Sequence, residues 1–111
     1  MAKKIKAIVK RVDEPYGHMT WISNTLENLQ RTVGGYIETI SLPGGAVIIC
    51  DEEGRLKKKP RNCYIFPYRT AARLELVGDI IVVGSEGDEF ADVPIDLKTW
   101  KKIYLGLEEG K

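Results

Sequence analysis

The densest charge in the chain lies in CDEEGRLKKKPRN, residues 50–62, where Arg55, Lys57, Lys58, Lys59 and Arg61 follow Asp51, Glu52 and Glu53. Cations this close repel one another, so holding them together costs free energy unless an anion offsets the repulsion. Two readings follow: a solvated loop balanced by its own carboxylates, or a rim that receives a phosphorylated ligand. The second gains from the residues just beyond, because Asn62, Tyr64, Phe66, Tyr68 and Arg69 place rings and a further cation beside the first group. A ring stacks on a base for ~1–3 kcal/mol, and arginine grips phosphate through parallel hydrogen bonds. On this reading Arg55, Lys57, Arg61 and Arg69 meet the anion, Tyr64 and the more distant Tyr36 stack, and Asn62 orients a polar edge. The same rings could equally be core.

Other chemistries find less support. Gly34-Gly35 ahead of Tyr36 and Glu38 could present amides to an anion, but a glycine there also suits the end of a helix, whose negative partial charge opposes anion binding. Pro43-Gly44-Gly45 reads as a hairpin turn and lacks the lysine and hydroxyl of a phosphate-cradling loop. His18, Cys50 and Cys63 show no metal-ligand spacing, and no thiol or hydroxyl has a base nearby in sequence. The acidic pairs Glu52-Glu53 and Asp88-Glu89 read as turn charges, with Mg²⁺ binding the sharper alternative. The expectation is a protein that is not an enzyme and uses no metal or cofactor.

These residues must be positioned by short elements. Ile5, Ala7 and Val9 alternate with lysines, predicting a strand from about Lys4 to Val12, and the turn residues Pro15 and Gly17 let MTWI return as a second strand. In SNTLENLQRTVGG, Ser23 or Asn24 can cap a helix of about nine residues that Gly34 ends, with Leu26, Leu29 and Val33 on one face. Residues 35 to 41 and 46 to 51 read as a hairpin, 55 to 70 as a long connection, 71 to 77 as a short helical turn. DIIVVG is a buried strand, FADV a last short one, and DLKTWKKIYLG a helix behind Asp96 that packs Leu97, Trp100, Ile103 and Tyr104 on the sheet. The predicted fold class is α+β: a mainly antiparallel sheet with two short helices, in one domain spanning residues 1–111.

Length and composition agree. A chain of 111 residues suits one domain with one modest core, and 43% apolar with 30% charged residues is a globular rather than a disordered composition. A net charge of +1 gives no global pull toward nucleic acid or membrane, so any electrostatic function is local. Lys6, Lys10 and Arg11 interrupt the apolar run a signal peptide needs, no run approaches the ~20 residues of a membrane span, and Cys50 and Cys63 read as reduced thiols of a cytoplasmic protein. An edge strand together with exposed tryptophan, Trp21 or Trp100, would suit a homodimer or higher homo-oligomer.

The run VGGYIETISLPGGAVIICDEEGRLKKKPRN followed by DIIVVGSEGDEF resembles the bacterial and phage family known as domain of unknown function 3846, over roughly Leu26 to Phe90. The chain departs from that pattern at Cys50-Asp51, where asparagine is expected, and at Pro60-Arg61-Asn62, where the arginine precedes the asparagine. The resemblance brings no catalytic residues. It implies a small cytosolic protein of phages and mobile elements, some of which act by sequestering a host signal or occluding a host protein. The expected function is a non-enzymatic binding protein for a small phosphorylated, nucleotide-like host signal, as an anti-defence factor. The alternative is a protein-interaction module that inhibits or adapts a host complex, and weak nucleic-acid binding through the basic loop stands third.

Overall fold

The computed structural model describes residues 3–106. Two hairpin-rich halves share one antiparallel sheet, with strands β1 (Lys4–Lys10), β2 (His18–Ser23), β3 (Ile37–Ser41), β4 (Ala46–Asp51), β7 (Ile80–Glu86) and β8 (Glu89–Ala91). The spatial order is β2-β1-β7-β4-β3, with β8 also on β7. Alternation sorts their side chains onto two faces. Ile5, Ala7, Val9, Ile49, Ile81 and Val83 point to one face, where helix α1 (Leu26–Val33) lays Leu29 and Val33. Burying each of those two stabilises the fold by ~1.5–3 kcal/mol.

The opposite face carries Ile8, Ile48, Ile80 and Val82, and is covered by a two-stranded ribbon, β5 (Arg61–Ile65) with β6 (Leu74–Val77), and by helix α2 (Leu97–Ile103). The ribbon contributes Cys63, Ile65 and Leu76; α2 contributes fully buried Trp100, with Tyr104 just beyond it. Trp100 donates its indole N–H to the Tyr16 carbonyl at 3.0 Å, and the Tyr104 hydroxyl donates to Pro15 O at 2.7 Å, which ties α2 to the β1–β2 turn.

The α+β class and the two helices stand as predicted; several local expectations do not. The first strand stops at Lys10 because Val12 turns its amide to Asp79 Oδ1 at 3.0 Å. Thr25, rather than Ser23 or Asn24, caps α1, accepting from the Asn28 amide. Residues 61–65, inside the long connection expected over 55 to 70, form β5, and residues 74–77, inside the helical turn expected over 71 to 77, form β6. Gly34 does end α1 in the left-handed conformation, at φ 81°.

Candidate functional site

The basic loop is organised by one carboxylate. Asp51, at the end of β4, is buried and accepts from Lys57 Nζ at 2.9 Å, Lys59 Nζ at 2.7 Å and the Glu53 amide at 2.9 Å. Both lysines also reach the exposed carbonyls of α1's last turn, Lys59 on Val33 O at 2.7 Å and Lys57 on Gly34 O at 3.1 Å. Cations are favoured at that end of a helix, so these two of the loop's charges are spent inside the fold. Gly35 is required here: a Cβ would collide with Asp51 Oδ1 and the Lys57 ammonium. Burial alone would raise the Asp51 carboxyl; the bonds from Lys59, Lys57 and the Glu53 amide overcome it and hold the group at about 2.

Asn62 is buried too, which corrects its assignment to an accessible polar edge. Its Oδ1 accepts from Lys10 Nζ at 2.7 Å, and its Nδ2 donates to Lys10 O at 3.0 Å and Gly78 O at 2.8 Å. The Lys10 ammonium lies 5.6 Å over the Tyr104 ring, and burial pushes its pKa below the ordinary lysine range. Asn62 thus ties the ribbon to β1 and cannot meet a ligand from solvent.

What the structure does gather is on the ribbon's outer face. Tyr64 and Glu75 are cross-strand partners. Around them lie Arg61, whose Nε is 2.9 Å from Glu75 Oε2 and whose Nη2 donates to the Tyr64 hydroxyl at 3.2 Å; Arg55, donating to the Glu75 carbonyl; and Arg73, stacked 4.8 Å over the Tyr64 ring. Arg61 therefore meets both the carboxylate and the Tyr64 hydroxyl, Arg73 meets the ring, and Arg55 reaches only the backbone of β6 from the cleft beside it. Of the residues picked from sequence, Arg61 and Tyr64 converge here, with Arg55 at the margin. Lys57 and the exposed Tyr36 sit at the Asp51 junction, where Tyr36 O accepts from the Glu52 amide at 2.8 Å. Arg69, at φ 62°, stacks on Tyr68, whose amide is anchored on Ser41 O. Arg73 was missed; its signal was the alternation Arg73-Leu74-Glu75-Leu76, which puts arginine and glutamate on one side of a strand.

The ribbon face is open. The cleft beside it, about 390 Å³ between β3–β4 and β6, receives Arg55, but its other charged lining is acidic, Glu38, Asp51, Glu52 and Glu75, a setting that repels phosphate. A further concave site of about 410 Å³ lies at the C-terminal end of α1, lined by Arg11, which pairs with Asp79 at 3.6 Å, and by Arg31 and Lys59, which pair with Glu27 and Asp51. No group of histidine, cysteine and carboxylate side chains suited to a metal ion occurs among the described residues. Burial pushes both thiols, Cys50 and Cys63, up to about 12, with Glu38 adding to the effect at Cys50. His18 pairs with Glu14 at 2.8 Å, and the Cys50 thiol faces Glu38. Among the described residues no helix is long and apolar enough to cross a membrane.

No curated protein and no solved structure matches the chain. The profile of one family does, over residues 5–105, a span that takes in every strand and both helices apart from the first residue of β1. The chain belongs to that family, described as domain of unknown function (DUF3846).

Proposed function

We propose that the chain is a non-enzymatic binding module that engages the acidic surface of a host protein through the outer face of the β5–β6 ribbon. The observation that carries this is the pair Arg61 and Arg73 set around the Tyr64 ring with the single carboxylate Glu75 between the strands. Arginine and tyrosine are enriched where protein interfaces hold most of their binding energy, and an open face suits a macromolecular partner better than a small molecule, which needs a concave site. The thiols support a role without chemistry, since at neutral pH neither supplies a thiolate. In a phage-borne protein of the cytoplasm, such a module would occlude or adapt a host complex.

The small phosphorylated host signal that the sequence suggests has one observation in its favour, the concave site lined by Arg11, Arg31 and Lys59. The two readings separate by where an anion perturbs the protein. Titration with a glutamate-rich peptide should shift backbone resonances of residues 61–65 and 73–76, and Arg61→Glu with Arg73→Glu should abolish the shift. Inorganic triphosphate shifting residues around Arg11 and Arg31 instead would favour signal sequestration. Perturbation by neither probe overturns both. Duplex DNA binding that falls by about 0.9 in log affinity per phosphate for each unit of log salt would mark nucleic acid as the partner.

A further inference from the structure

The two outer strands of the large sheet are unequal. β3 is guarded: it exposes Glu38, and its Ser41 carbonyl is capped by the Tyr68 amide at 2.8 Å. β2, HMTWIS, carries no lysine, proline or carboxylate, the usual devices that stop an edge from pairing.

Its hydrogen-bonding phase can be read from one contact. Asn24 donates to Lys3 O at 2.8 Å, and these two residues lie directly opposite in the β1–β2 register, one step beyond Ser23 and Lys4. Bonded and non-bonded pairs alternate along an antiparallel ladder. Ile22, Thr20 and His18 therefore turn their backbone groups to β1, whereas Met19, Trp21 and Ser23 aim theirs outward. The Ser23 carbonyl is already taken by the Thr25 amide at 2.9 Å and the Asn28 side chain at 3.1 Å. That leaves Met19 and Trp21, and no bond to the backbone of either from beyond β1 occurs among the described residues.

We propose that β2 pairs with β2 of a second copy of this chain, antiparallel about a twofold axis through Thr20. Only this register sets Met19 against the partner copy's Trp21 so that each pair exchanges both bonds and Ser23 is not needed. A register centred on Trp21 would oppose Met19 to Ser23, whose carbonyl is spent. The axis keeps like faces together, so the exposed Trp21 ring, 57% accessible, packs on the Met19 side chain of the other copy. His18 opposes Ile22 on the α1 side, and no residue carrying a fixed charge faces its like. The large sheet becomes continuous across both copies.

Sedimentation from micromolar to millimolar concentration tests this, together with amide hydrogen exchange. The expected result is a dimer in which exchange at Met19 and Trp21 slows as concentration rises. Thr20→Lys places like charges on the axis and should weaken association at least about tenfold. Trp21→Pro removes an outward N–H and should do the same, leaving the β1 pairing intact. A chain that stays monomeric throughout overturns the proposal. So does a dimer that survives both substitutions, or one whose Met19 and Trp21 amides exchange as fast as in the monomer; should either variant misfold, the exchange measurement on the unaltered protein decides.

Discussion

At the scale of single residues, two buried groups decide how the basic segment behaves. Asp51 has a carboxyl held at about 2, below its ordinary 3.8, so it stabilises the fold fully above pH 4 and loses that contribution as pH falls through about 2. The stability of the protein should therefore drop between about pH 4 and pH 2, and Asp51→Asn should lower it by about 2 kcal/mol at neutral pH while flattening the acid limb. Urea unfolding at a series of pH values reads both; an acid limb identical in the variant would mean the two lysines are held by the helix carbonyls alone. Asn62 has the opposite logic, being the neutral partner of a buried cation. Asn62→Ala should cost about 3 kcal/mol, because it strands the Lys10 ammonium and two carbonyls. Adding Lys10→Met should recover a good part of that loss, a coupling that a double-mutant cycle measures directly.

Among elements, the ribbon is both the part least visible in the sequence and the part that builds the proposed binding face. Helix α2 was legible because Asp96 marks its start and four apolar residues keep helical spacing behind it; β7 was legible because its β-branched residues run without a break. β5 was hidden by its own geometry: the register slips between Arg61 and Cys63, so Asn62 and Cys63 are both buried and the alternation that identifies a strand is lost. In β6 the alternation Leu74-Glu75-Leu76 was present, but it is short and follows two alanines that favour helix. Charge partners were invisible for the same reason, since Glu75 meets Arg61 only once those strands pair. That pairing makes a prediction. Glu75 competes internally for the arginines, so Glu75→Gln should tighten binding of a glutamate-rich peptide several-fold, measured by calorimetry, while an exposed ion pair of this kind costs only about 0–1 kcal/mol of stability when lost. Weaker binding by the variant would place Glu75 in the recognition itself.

For the whole molecule, the question is how firmly the ribbon layer is held to the sheet, and the two cysteines report on it. Cys50 projects from β4 and Cys63 from β5 into the same interlayer core, 6% and 0% exposed. With both thiols at about 12, the thiolate that attacks a disulfide reagent is scarce even before access is considered. Labelling in the native state must then wait for an opening that admits the reagent and restores an ordinary thiol. Among the described residues, the polar ties from that layer to the sheet include Asn62 to Lys10, Lys59 and Lys57 to Asp51, and the Tyr68 amide to Ser41 O at 2.8 Å, while paired backbone bonds at 2.9 and 2.8 Å join Tyr64 to Leu105 just beyond α2. A layer so attached should lift as a unit at less free energy than complete unfolding. Cys50 and Cys63 should therefore label at one common rate, with a weaker urea dependence than global unfolding, and Asn62→Ala should accelerate both by the same factor. Cys50 labelling ahead of Cys63, at a rate indifferent to Asn62, would mean that the sheet side frays independently and that the ribbon is not a separate cooperative layer.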